Sequence, residues 1–179
     1  RIARGALLRL RLCIEGRDHH RAGSDSKKNS RRTATHHREI FMSVLVVGTV
    51  AFDSIETPFG SAERILGGSA SYFALGASFF APVRVVGVIG QDFPQDYIDI
   101  FNRRQIDLEG LQRDKGDTFH WRGRYHEDIN LRDTLELHLN VLAGFEPKLP
   151  ERYRDADYVF LGNIDPVMQL EVLRQLRGM

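Results

Sequence analysis

The chain has 179 residues, 42% of them apolar, with a formal net charge of only +1, so it is long enough for one domain with a real core and excludes a protein that is strongly basic or acidic overall. No apolar run approaches membrane-spanning length, which argues against a membrane partner. A single cysteine, Cys13, excludes an internal disulfide framework and a thiolate zinc site, and it fits a reducing, cytoplasmic setting.

The small total charge hides a division. Residues 1–42 carry 11 Lys or Arg against 4 Asp or Glu, and residues 43–179 carry 14 against 20, so +7 sits on an arm and −6 on the rest. The arm also holds His19, His20, His36 and His37 and the polar run Ser24 to Arg32, with no sustained periodicity past Leu10, and such a composition predicts disorder. Three readings stay open: a nucleic-acid-binding tail, an organelle transit peptide suggested by the arginine-rich start Arg1 to Leu10, or upstream sequence foreign to the native protein. Met42, immediately before the first convincing strand, favours the last. Nucleic acid is disfavoured because no aromatic residue precedes Phe41 to stack on a base.

Ser43 to Val50 is a near-continuous apolar run ending at Gly48-Thr49, the pattern of a strand covered on both faces, and Asp53 follows it. Ile55 to Leu66, with Pro58 and Gly60, reads as a short hairpin or two edge strands. Ser69 to Phe80 has the length and small residues of a buried helix, Val83 to Gly90 is a second buried strand, and Pro94 to Gln105 an amphipathic helix. This βαβα order predicts an α/β layered fold. Thr118 to His126 and Thr134 to Leu142 alternate as paired antiparallel strands with one wet face, joined by turn residues 127–133. Asp157 to Asn163 returns to a buried-strand pattern. Asp165-Pro166 then caps a last helix carrying Val167, Leu170, Val172, Leu173 and Leu176. There is no internal repeat.

The glycine pair Gly67-Gly68, opening the helix Ser69-Ala70-Ser71-Tyr72, carries the functional signal. Adjacent glycines let backbone approach a ligand, and the N–H groups of a helix start can donate to oxygens of a polyhydroxy or anionic molecule. The bland reading, a tight turn with close packing, stands beside it.

Three stretches in order, Gly48-Thr49-Val50-Ala51-Phe52-Asp53, Gly67-Gly68-Ser69-Ala70-Ser71-Tyr72 and Val86-Gly87-Val88-Ile89-Gly90-Gln91-Asp92, resemble the N-terminal half of a ribokinase-like carbohydrate kinase. That family includes the minor phosphofructokinases and adenosine kinase. The resemblance covers residues 43–179 and is specific as a set. It implies a ribokinase-like layered α/β sandwich with a small β-sheet lid from strands near 55–66 and 118–142, truncated before the nucleotide-binding half. It implies a sugar or nucleoside as small-molecule partner, ATP and Mg2+ for the complete enzyme, and a homodimer through the lid.

Residue by residue, the family's sugar-binding aspartate falls on Asp53 and its glycine pair on Gly67 and Gly68. An asparagine usually closes that motif, whereas this chain has Tyr72 there with Ser71 before it, which changes the polar groups offered to a sugar. One face of the implied lid presents His120, Arg122 and Arg124, suited to an acidic or phosphorylated sugar or, blandly, a solvated face paired with Glu136. The other face presents Trp121 and Tyr125, suited to stacking on a sugar ring or nucleobase. His126 and His138 read as surface residues, and no metal ligand is assigned. Asn163 and Asp165 sit where open α/β sheets place ligand groups, but Asp165 before Pro166 is equally a helix cap and receives no role. The family's catalytic stretch, of Asp-Thr-x-Gly-Ala-Gly-Asp type, does not occur in the chain, so the expectation is a kinase fragment that keeps sugar contacts but lacks the catalytic base and the ATP site. The alternative is a non-catalytic sugar-binding or assembly module of the same fold. A dinucleotide-binding domain is disfavoured because no Gly-x-Gly-x-x-Gly follows the first strand.

Overall fold

Eight strands and three α-helices are built by the residues described in the computed structural model, 42–178. The expectations for the arm, disorder and foreign origin, lie outside the described residues.

The apolar runs Val44–Val47 (β1), Val83–Ile89 (β4) and Tyr158–Leu161 (β8) pair in parallel, joined by Asp107–Arg113 (β5), in the order β5-β4-β1-β8. Because strand side chains alternate, β1 serves two cores. Val46 packs with Phe52, Ala70, Ala74, Val85 and Phe101, whereas Leu45 and Val47 pack with Val86, Phe145, Tyr153 and Val172. The sheet is therefore covered on both faces, which is why β1 and β4 at its centre carry apolar runs rather than alternation. Helices Ser69–Ala77 (α1) and Gln95–Arg103 (α2) contribute to the first core and Pro166–Gln175 (α3) to the second. Alanines 70 and 74, fully buried, let α1 lie close to the sheet, so this helix needs little amphipathicity.

A second sheet has the order β3-β2-β6-β7, from Ala51–Thr57 (β2), Gly60–Gly67 (β3), His120–Tyr125 (β6) and Arg132–His138 (β7). β2 and β3 form an antiparallel pair and so do β6 and β7, while β2 runs parallel to β6. It starts four residues after β1 ends, so one short segment, Gly48 to Val50, carries the chain from the large sheet into the small one.

Several boundaries differ from expectation. β5 was not anticipated, because Asp-Leu-Glu-Gly-Leu-Gln-Arg is polar and half-buried at a sheet edge. α1 stops at Ala77, where turns through Ser78 to Ala81 lead into Pro82, leaving Phe79 and Phe80 exposed. α2 stops at Arg103, just before Gln105 adopts a positive φ of 54°. β7 ends at His138, and residues 140–144 coil into a 3-10 turn. No helix among the described residues is long and apolar enough to cross a membrane.

Candidate functional site

Asp53 belongs to β2 directly after the crossover from the large sheet, and its half-buried carboxylate lies against the glycine pair. A Cβ added at Gly67 would sit 2.3 Å from Cγ and Oδ2 of Asp53, so only a residue without a side chain leaves the carboxylate its place. Gly68 is constrained differently. Its φ of 95° is outside the range of ordinary L-residues, and a Cβ there would lie 2.3 Å from the Thr49 carbonyl oxygen. Burial raises the Asp53 carboxyl above the usual aspartate range, partly offset by the charge of His120 and the Gly68 backbone. The structure thus brings Asp53 to Gly67 and Gly68, which follow it by 14 and 15 residues in sequence.

The start of α1 is already bonded. Ser69 N–H donates to Thr49 Oγ1 at 2.9 Å and Ala70 N–H to the Thr49 carbonyl at 2.9 Å. The expectation that the first amides of this helix stand free for ligand oxygens is corrected at these two positions: they fasten the helix to the end of β1. Ser69 Oγ completes the fastening, 3.2 Å from Thr49 Oγ1 and accepting from Asn163 N–H at 3.0 Å. Cβ atoms at Gly48 or Gly162 would come within 2.7 Å of that oxygen. Ser69 thereby ties α1 to the C-terminal ends of β1 and β8, where open α/β sheets place ligand groups. Asp165, beyond β8, accepts from Val167 N–H at 2.7 Å and caps α3.

The two residues after this pair diverge. Ser71 is 1% exposed and its hydroxyl has no partner among the described residues, so it lies inside the packing rather than at an open surface. Tyr72 is 60% exposed, with its hydroxyl donating to the Leu66 carbonyl at 3.2 Å beside the glycine pair.

Strand alternation settles the second sheet. Asp53 is the register partner of Trp121, and Ser54 and Glu56 are those of Arg122 and Arg124. Asp53 therefore shares a face with Trp121 and Tyr125, while His120, Arg122 and Arg124 point to the opposite face with Ser54 and Glu56. Glu56 takes both arginines, Arg122 at 2.9 Å through Oε1 and Arg124 at 2.9 Å through Oε2, and Glu63 lies 3.2 Å from Arg122. The two arginine hydrogen bonds hold Glu56 below the usual glutamate range. The pairing partner expected from sequence, Glu136, is replaced by Glu56 on the other neighbouring strand, and the structure does not bring Arg122 or Arg124 to Asp53. On Asp53's face, Trp121 lies over Gly123, where a Cβ would fall 2.0 Å from the ring, and its Nε1 donates to Thr134 Oγ1 at 3.2 Å.

A polar junction that sequence reasoning missed locks the two sheets together. Arg64 lies 4.1 Å from the Phe52 ring centroid, and its guanidinium pairs with Asp92 at 2.6 Å. Asp92 Oδ1 also accepts from the Thr118 amide and hydroxyl, both at 2.7 Å, and Thr118 Oγ1 accepts from Gly90 N–H at 2.9 Å. Burial opposes ionisation of Asp92, but the Thr118 bonds and Arg64 outweigh it and lower its carboxyl below the usual aspartate range. Asp92 stands in the last of the three quoted stretches, which was the only hint of its importance.

No family model matches the chain. Among curated proteins it is 32% identical over 138 residues to a cytidine kinase of Thermococcus kodakarensis, an alignment covering 76% of this chain and 49% of that protein. The chain therefore spans about half the length of the curated relative it matches. Among solved structures it is similar to a nucleoside kinase of Methanocaldococcus jannaschii, an archaeal member of the ribokinase family, with a TM-score of 0.60 at 17% identity over 76% of this chain and 50% of that one. A ribokinase of Cryptococcus neoformans in complex with ADP gives a TM-score of 0.51 at 18% identity, over 72% of this chain and 42% of that one. With the parallel sheet, the second sheet and the Asp53–glycine contact in place, these likenesses agree: over about 76% of its length the chain has the fold of ribokinase-family structures and is similar in sequence to a curated cytidine kinase.

Proposed function

We propose that the described residues form the acceptor-binding part of an ATP-dependent kinase that, when complete, transfers a phosphoryl group to a hydroxyl of a nucleoside or sugar. The observation that carries this reading is the Asp53 carboxylate lodged against Gly67 and Gly68. A carboxylate can accept two hydrogen bonds from vicinal hydroxyls, and such charge-assisted bonds are strong and directional. Gly67 and Gly68 keep side chains out of the space beside it. Trp121 and Tyr125 on the same face of the second sheet offer flat apolar surface for a nucleobase, which, with the cytidine kinase likeness, favours a nucleoside. Tyr72 flanks the glycine pair. Arg122 and Arg124 are left out of the contact set because both are committed to Glu56.

Phosphoryl transfer also requires a clamp for the moving phosphate, a metal ion and a base at the acceptor hydroxyl. The glycine-opened helix α1 does not fit the role of ATP cradle, since its first two amides are bonded to Thr49. No Asp-Thr-x-Gly-Ala-Gly-Asp stretch occurs in the chain. We therefore assign ATP and Mg2+ to residues beyond this chain, where the second sheet would act as a lid over acceptor held below it. The outer strand β8 and the exposed α3 residues Val167 and Leu170 are the surfaces such residues would cover. A cytoplasmic setting goes with this reading.

Calorimetric titration of the chain with cytidine, adenosine, ribose and fructose tests the proposal. Saturable binding of at least one is expected, weakened about tenfold or more in Asp53→Asn, with no ATP-dependent phosphorylation by the chain alone. Turnover by the chain, or equal binding by the variant, contradicts it. A second reading, an assembly or sugar-binding module without chemistry, draws on the exposed Leu135 and Leu137 of the outer strand β7 and Leu139 just past its end, through which a second copy would pair. Phosphorylation by a natural product extending beyond Met179 would decide against that reading.

A further inference from the structure

Two histidines and a glutamate on one face of the second sheet meet across β6 and β7. His120 and His138 are direct register partners, with rings nearly parallel and centroids 6.1 Å apart. Glu136 precedes His138 by two residues and so shares its face. Its Oε2 lies 3.1 Å from His138 Nε2, and one donor atom from each of the three residues lies within 4.8 Å of the others.

We propose that His120, Glu136 and His138 form a binding site for a first-row divalent transition metal ion of the Zn2+ or Co2+ class, bridging β6 and β7 on the face of the sheet opposite Asp53. Two imidazoles and one carboxylate are the donor set that such borderline ions take, whereas Mg2+ and Ca2+ prefer oxygen alone. Three protein ligands leave a fourth position for water. Bonds of about 2.1 Å in tetrahedral geometry need donors roughly 3.4 Å apart, so the cluster must close slightly. It has room to do so: the side chains of His138 and Glu136 are 54% and 47% exposed and free to rotate. His120 is the fixed member. Its Nε2 lies 2.8 Å from the buried Ser54 hydroxyl, which also accepts from Arg64 N–H at 3.0 Å, so the ring is anchored before any ion arrives.

Nearby positive charge is largely paired: Arg64, whose charge reaches His120, is held by Asp92 at 2.6 Å. Arg122 is the register partner of Glu136, but its guanidinium is engaged by Glu56 at 2.9 Å and Glu63 at 3.2 Å, so the added cation meets a neutralised neighbour. The site is separate from the acceptor contacts proposed above and stands whether or not they do.

The test uses the whole chain and Co2+ alone as probe. Trp121, the single tryptophan, adjoins His120 in β6, so an ion bound at the cluster quenches its emission by energy transfer. The expected result is saturable quenching at one equivalent, reversed by Zn2+, and weakened about tenfold or more in His138→Gln and in Glu136→Gln. Both variants alter exposed side chains and are checked for unchanged circular dichroism. Quenching should persist in His126→Gln and in a variant with His19, His20, His36 and His37 all changed to Gln, which removes the other imidazoles capable of holding Co2+. Quenching indifferent to His138→Gln and Glu136→Gln, or abolished by the four-histidine variant, overturns the proposal and leaves Glu136–His138 as a surface ion pair.

Discussion

The two glycines are adjacent, yet the structure gives them different reasons for lacking a side chain, and alanine at each should fail differently. At Gly68 the nearest atoms to an added Cβ are backbone: Thr49 O at 2.3 Å, Thr49 C at 2.7 Å and Ala51 N at 3.0 Å, with φ at 95°. Backbone strain of about 1–3 kcal/mol combines with overpacking of about 1–3 kcal/mol, so Gly68→Ala should cost about 2–6 kcal/mol in total. At Gly67 the three nearest atoms all belong to the Asp53 carboxylate, at 2.3 Å to Cγ and Oδ2 and 2.7 Å to Oδ1. Gly67→Ala should therefore cost about 1–3 kcal/mol, the overpacking part only, and removing the carboxylate should recover most of it. Thermal and urea unfolding of the full chain, read in a double-mutant cycle, measures this: the Gly67→Ala penalty should shrink by more than half in an Asp53→Ala background, while the Gly68→Ala penalty stays the same. At about 3–5 °C per kcal/mol for a domain of this size, both effects exceed measurement error. Equal penalties for Gly67→Ala in the two backgrounds would refute the placement of the carboxylate against the glycine and remove the basis of the acceptor site.

Three further outcomes follow from the same geometry. Asp53→Asn should raise the melting temperature at pH 7, because burial raises the folded carboxyl and its ionised form weakens the fold above that value. The gain should vanish below about pH 4, and a lower melting temperature at pH 7 would contradict it. Asp92→Asn should destabilise the chain at neutral pH, since Asp92 is depressed by Thr118 and Arg64; its contribution is complete above the ordinary aspartate value and is lost as pH falls through the lower folded value, so melts of wild type and variant should converge in acid. A gap independent of pH would show that the ionised carboxylate is not what joins the sheets. Ser69→Ala should cost about 0.5–1.5 kcal/mol in urea unfolding by removing the acceptor of Asn163 N–H, and an unchanged midpoint would mean that water replaces the hydroxyl.

Sequence by itself determined the features that depend on local pattern. Apolar runs at 43–50, 83–90 and 157–163 mark the strands that became β1, β4 and β8, and alternation at 118–126 and 134–142 marks those that became β6 and β7, because a strand's covering is partly written into residue order. The expected single wet face fails for β7, which as the outer strand of its sheet is exposed along its whole length. The glycine pair and the aspartate of the candidate site were legible through family resemblance, as positions rather than as a contact. Tertiary structure alone decided the rest. β5 is a polar edge strand whose pairing with β4 comes from a neighbour distant in sequence, so its own residues carry little signal. The register of β2 against β6 assigns Asp53 to the face of Trp121 and sends Arg122 and Arg124 to the face of Glu56, a choice that a shift of one residue would reverse. The same physics brings His120 opposite His138 and Thr118 onto Asp92: hydrogen bonds between chain segments far apart in sequence select partners by register and closure, and neither is encoded in any single stretch of residues.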